Sequence, residues 1–174
     1  DIVDAIDGVD VYSDFEFKSS VADFYYNEGE NHLSGMAALY FARERKAFED
    51  EDIERGRNQQ KVLKAMINKT TQSKVILTKY TQLLDAVEDE MQTNMSEKDI
   101  SSLVKMQIND MGKWTINTIS ITGTDAYAPT YSMGSQELAV VIPDDEAVEA
   151  AKKAIHDTMY PAYTKEKKSK SETK

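Results

Sequence analysis

Residues 38–69, ALYFARERKAFEDEDIERGRNQQKVLKAMINK, decide how the chain folds, because an apolar run, two pairs of arginines, an acidic loop and a second apolar pattern follow without a break. The segment that opens it, MAALYFAR from Met36, is apolar on every face, the pattern of a short helix buried on all sides. Arg43 and Arg45 are two residues apart and share a side only where the backbone is extended; on a continuing helix they would diverge by about 200°. The first helix is therefore predicted to end near Arg43. Asp52 is placed to cap a second helix that starts near Ile53 or Glu54 and runs to about Lys69, with neighbouring acids at its positive end.

Advancing from Arg55 by about 100° per residue puts Gln59, Val62 and Met66 within an arc of roughly 60°, so Arg55 and Gln59 are predicted to continue the inward stripe. A desolvated arginine keeps its charge and needs an anion, and the free N–H groups of a helix start favour a polyanionic one. With Arg43 and Arg45 pointing into the same cavity, three guanidinium groups and an amide would form a clamp for a phosphate or pyrophosphate. Arg57, about 200° from Arg55, is predicted to face solvent. A plainer reading stays open: Glu49, Asp50, Glu51, Asp52 and Glu54 lie within reach, and surface ion pairs alone would account for all the arginines.

Working outward, DIVDAIDGVDVYSDFEFKSS alternates on both sides of YSD, with Val9 and Val11 before it and Phe15 and Phe17 after it, which predicts a strand pair or an extended edge. NEGENHLSG reads as turns. Downstream, Ile76, Tyr80, Leu83, Leu84, Val87 and Met91 repeat at helical spacing, as do Ile100, Leu103, Val104, Ile108 and Met111. KWTINTISITGT is β-branched and predicts a strand, DAYAPTYSMGSQ a long loop, and ELAVVIP a strand short and apolar enough to lie inside a sheet. The Tyr127–Ser135 part of that loop is a candidate lid. Asp144 or Asp145 would cap a last helix with Val148, Ala151, Ile155 and Met159 inward, ended by Pro161. The sum is a mixed α/β fold: a small central sheet with helices packed on it, for which strands from the two ends of the chain must meet.

The 174 residues suffice for one domain with a sizeable core. An excess of 31 acidic over 21 basic residues, net charge -10, works against binding nucleic acid. Without cysteine there is no disulfide framework and no thiol nucleophile. No apolar run approaches the ~20 residues of a membrane-spanning helix. His32 and His156 lack metal-ligand spacing and are assigned no role, and Trp114 is read as core or rim.

The order of these motifs resembles the LytR-CpsA-Psr family of bacterial cell-envelope proteins. The carrying segments are DIVDAIDGVDV, HLSGMAALYFARER and DIERGRNQQKVLKAMINK, which match the family's R-x-R and D-x-x-R-x-x-x-Q patterns, and TYSMGSQELAVVIPDDEAVEAAKKAI, similar to the end of the domain in its capsule-type branch. The resemblance implies a phosphotransferase on the outer face of the cytoplasmic membrane. Such an enzyme moves a teichoic acid or capsular glycopolymer from an undecaprenyl-pyrophosphate carrier to peptidoglycan, with magnesium as cofactor. Carried over by motif, Arg43, Arg45, Arg55 and Gln59 would hold the pyrophosphate, and Arg57 and Asn58 would support them. Asn58 stands where many members have a second arginine. Candidates for a lipid tunnel are the Met36–Phe41 segment and the Val62/Met66 stripe.

The resemblance further implies that residues 1–163 are the later half of such a domain and 164–174 a charged flexible tail. The magnesium-binding aspartates and an amino-terminal membrane anchor would lie in the part not matched, so no metal ligand is expected in this chain. Alone it is expected to be inactive, and pairing with the missing half or with a second copy is open. Two alternatives remain: a non-catalytic polyprenyl-phosphate-binding regulatory module, and, more distantly, a transcriptional attenuator.

Overall fold

The computed structural model describes residues 2–71, 78–79, 82, 93–110, 112 and 114–161. The expected helix over Ile76–Met91, Met111 and the tail 164–174 therefore lie outside the described residues or almost wholly so. The chain divides into two compact units, Asp1–Ile116 and Asn117–Lys174.

The first unit is built on a two-stranded antiparallel ladder between β1 (Val9–Ser13) and β4 (Gly29–Leu33), in register Val9↔Leu33, Asp10↔His32 and Val11↔Asn31. Alternation does the sorting: Val9, Val11, Asn31 and Leu33 turn inward, whereas Asp10, Tyr12, Glu30 and His32 face out. The segment expected to be only turns thus contains β4. Its polar Asn31 is buried because it closes the preceding turn, accepting from the Asn27 N–H at 3.0 Å and donating to the carbonyls of Asn27 and Gly29. The segments on either side of YSD do not pair with each other. A short second ladder joins β2 (Phe17–Lys18) to β3 (Tyr25–Tyr26), and Phe17 and Tyr26 enter the core with ring centroids 4.7 Å apart.

A short α1 (Ile2–Ala5) precedes β1, and α2 (Gly35–Arg43) follows β4 and ends where the arginine spacing predicts. Its start is held twice, by the Ser34 hydroxyl on the Ala37 N–H and by an Asp4 carboxylate oxygen 2.7 Å from the Gly35 N–H. Only one face of α2 is buried: Ala37, Ala38 and Phe41 pack inward, but Met36 is 53% and Leu39 44% exposed. α3 (Glu51–Thr70) lies across α2 and β1, contributing Val62 to the core with Ala65 and Met66 packed against it. It starts earlier than expected, with Asp50 rather than Asp52 at the capping position. In α4 (Glu97–Asp110), Ile100, Val104 and Ile108 are partly buried and Gln107 fully so, but Leu103 is half exposed. Gln107 donates to the carbonyls of Thr71 and Gly112 and accepts from the Trp114 indole at 2.6 Å.

The second unit is a hairpin and a helix. β5 (Gly123–Pro129) pairs with β6 (Glu137–Pro143) from Gly123↔Pro143 to Pro129↔Glu137. The strand therefore takes only Gly123 and Thr124 from the expected strand and continues through DAYAP, expected as loop, while the β-branched residues 114–122 form no strand. A strand needs a ladder partner more than it needs propensity, and the turn at 131–135, with Gly134 at φ 60°, brings DAYAP opposite ELAVV. The expected ELAVVIP strand is present, with one neighbour and with Val141 and Ile142 exposed. α5 (Asp145–Met159) follows with Asp144 as its cap residue, as expected, but Ile155 and Met159 are more than half exposed and only Ala151 is buried. Across the described residues the sheet is three two-stranded ladders, each joining strands of one unit, rather than a single central sheet.

Candidate functional site

The loop from Arg43 to Asp50 and the first turns of α3 carry the arginines. Glu44 ends α2 in an extended conformation, φ -63° and ψ 137°, its N–H donating to the Tyr40 carbonyl. Neighbours on extended backbone point to opposite sides. Glu44 turns inward, 1% exposed, while Arg43 and Arg45 on either side are exposed. The expected break between the two arginines is therefore present.

Arg45 and Arg55 are brought together. Arg45 Nε lies 2.7 Å from a Glu51 oxygen and 3.0 Å from Asp52 Oδ1, and Arg55 Nη2 lies 3.2 Å from the same Asp52 oxygen. Asp52, expected as a helix cap, is instead the anion between two guanidinium groups. All these side chains are between 39% and 60% exposed, so each pair contributes only about 0–1 kcal/mol and a ligand of higher charge can displace it. Arg43 forms no ion pair among the described residues.

The other residues stand apart. The inward row of α3 is Glu54, Asn58 and Val62, an i, i+4 ridge inclined to the helix axis. Arg55 and Gln59 are one position off that ridge, so Arg55 is half-exposed and Gln59 exposed, not desolvated as expected. Arg57 is exposed as predicted, but held by the buried Glu54 at 3.0 Å. Asn58, 2% exposed, turns its carbonyl oxygen to Lys61 Nζ at 3.4 Å, and Lys61 also reaches Asp14 at 2.5 Å and Glu54 at 3.6 Å. Two residues escape a reading by periodicity, Glu44 and Lys61. A carboxylate between two arginines looks like surface charge, and only the extended backbone shows that it must point the other way.

The electrostatics centre on Glu44. Burial pushes its carboxyl pKa up, but N–H donors from Ser20, Arg45 and Ala47 outweigh that and hold it below its ordinary value. Tyr26, buried nearby, is pushed up to about 12, by burial first and by the Glu44 charge second. No three carboxylate or imidazole groups converge among the described residues as a metal site would require. No helix among them is long and apolar enough to cross a membrane.

The LytR_cpsA_psr family model matches residues 1–153. A curated relative, polyisoprenyl-teichoic acid–peptidoglycan teichoic acid transferase TagV of Bacillus subtilis (strain 168), is 28% identical over 162 residues, covering 90% of this chain and 40% of that protein. The TagU transferase of the same description from Bacillus mycoides (strain KBAB4) is 35% identical over 105 residues, 60% of this chain and 34% of that protein. The crystal structure of B. subtilis TagV superposes with a TM-score of 0.65 over 90% of this chain and 58% of that one. The chain thus spans two-fifths or less of the length of these curated relatives. Matched by the family model over most of its residues and carrying the fold of a solved relative, it belongs to the LytR_cpsA_psr family.

Proposed function

We propose that the chain is the arginine-bearing part of a phosphotransferase that moves a glycopolymer, teichoic or capsular, from an undecaprenyl-pyrophosphate carrier to peptidoglycan at the outer face of the bacterial membrane. In it Arg43, Arg45, Arg55 and Gln59 hold the carrier's pyrophosphate. One observation carries this reading: Arg45 and Arg55, ten residues apart in sequence, meet on a single carboxylate oxygen of Asp52. That oxygen stands where a phosphate oxygen would, and planar guanidinium forks suit two such oxygens. Phosphoryl transfer depends on positioning and on neutralising charge at the phosphates, which is what convergent arginines supply. The similarity to the teichoic acid transferases TagV and TagU supports the substrate class. The magnesium implied by the resemblance finds no ligand cluster among the described residues and is given no step here; on this reading it belongs to the part of the domain that the chain does not span.

The test is calorimetric titration of the 174-residue chain with inorganic pyrophosphate and with a polyprenyl pyrophosphate analogue. Arg45→Ala and Arg55→Ala are expected to weaken binding by about 1.5–3 kcal/mol each, the cost of a lost charge-assisted contact. Asp52→Asn should tighten it, because the variant removes a like charge from the position of the ligand. Unchanged affinity in both arginine variants would sink the assignment.

A further inference from the structure

We propose that Glu44 is a positioning residue for the arginine site: its buried carboxylate pins the loop that presents Arg43 and Arg45. One oxygen accepts the Ser20 N–H at 2.6 Å, and the other accepts the N–H groups of Arg45 at 3.0 Å and Ala47 at 3.2 Å. Ser20 belongs to the loop between β2 and β3, so one side chain ties the arginine loop to a separate element of the same unit.

No cation neutralises Glu44 among the described residues; hydrogen-bond donors of Ser20, Arg45 and Ala47 carry that task. A buried carboxylate satisfied in this way is expensive to keep unless its hydrogen bonds hold. It is therefore a rigid fixture, whereas the pairs that Arg45 makes at the surface are exchangeable. The alternation along extended backbone completes the device, for a Glu44 locked inward forces Arg43 and Arg45 outward together. The lowered pKa of Glu44 agrees with this, since it keeps the group ionised at neutral pH. A glutamine of the same shape cannot reproduce the arrangement, because its NH2 end faces an N–H donor and one side of the clamp is lost.

The inference rests on the pyrophosphate reading above, and its test separates the two. Inorganic pyrophosphate is titrated into the full 174-residue chain and into Glu44→Gln, with Asn31→Ala as control. Asn31 is a buried side chain that also clamps backbone in the same unit, through Asn27 and Gly29 rather than through the arginine loop. Glu44→Gln is expected to lose about tenfold in affinity, as for about one weakened charge-assisted contact, while Asn31→Ala loses stability but keeps its affinity. In an Arg45→Ala background the Glu44→Gln loss should shrink, because only Arg43 is then left for the loop to present. Parental affinity in Glu44→Gln, an equal loss in both backgrounds, or an equal loss in Asn31→Ala would overturn the proposal. Should the parent bind no pyrophosphate, the pyrophosphate reading fails, and the role of Glu44 is decided by amide hydrogen exchange. Faster exchange at Ser20, Arg45 and Ala47 alone in Glu44→Gln upholds the clamp; unchanged exchange removes it. If Glu44→Gln does not fold, Glu44→Asp, which keeps the charge on a shorter arm, carries the same comparisons.

Discussion

Two ionisable groups in one interior give the molecule opposite pH limits. Glu44 titrates below its ordinary value of 4.5, so the stability it contributes is complete above that pH and is lost as pH falls through its lowered folded value. Tyr26 titrates at about 12 instead of 10, so its contribution is complete below pH 10 and is lost as pH rises towards 12. Tyr26→Phe removes the hydroxyl that donates to the Ala37 carbonyl at 2.8 Å. It should cost about 1 kcal/mol at neutral pH and flatten the alkaline limb of a urea-unfolding profile, leaving the acid limb to Glu44. An alkaline limb as steep as the parent's would show that Tyr26 is not the group responsible. The residue types of the candidate site were legible in the sequence, as was the break between Arg43 and Arg45. The anion they share was not: Asp52 has the composition of a cap, and only the approach of the Arg45 loop to the start of α3 makes it a bridge.

At the scale of elements, two helical glycines separate steric need from mere tolerance. A Cβ on Gly35 would run into the Asp4 carboxylate that holds the start of α2, whereas one on Gly56 in α3 would meet nothing. Gly56→Ala should therefore stabilise the chain by up to about 1 kcal/mol. Gly35→Ala should destabilise it in spite of the same gain in propensity. Thermal unfolding of both decides the matter, and a shift of the same sign in the two would contradict the Asp4 contact. The ends of α2 and α3 and the Asp144 cap of α5 were the most readable parts of these elements, because they depend on residues within a turn of one another, whereas the start of α3 was read two residues late. The strands were read less well. β4 is disguised by polar residues on its outer face and by an asparagine that closes its turn, and β5 was hidden behind a more β-branched neighbour, residues 114–122, that forms no strand.

Across the whole molecule, burial is distributed unevenly. The largest cluster of buried apolar side chains, from Val3 and Ile6 through Phe17, Tyr26 and Phe41 to Val62, belongs to the unit Asp1–Ile116. In the other unit Tyr127, Val141, Ile142, Ile155 and Met159 are all at least half exposed. Phe41→Ala should accordingly cost about 3–5 kcal/mol, and Ile155→Ala less than about 0.5 kcal/mol, measured by urea unfolding of this chain. Comparable losses would mean that α5 buries its apolar face in solution. The sequence by itself determined the class of fold, the helix boundaries at Arg43 and near Lys69, the hydrophobic residues available for a core and the clustering of cationic side chains, since each depends on local spacing. Tertiary structure alone decided which strands pair, that Glu44 and Glu54 rather than an arginine are the buried charges, and that Arg45 and Arg55 share one oxygen. Those outcomes depend on groups far apart in the chain meeting at hydrogen-bond distance, and a helical period can say which side a residue takes but not what waits there.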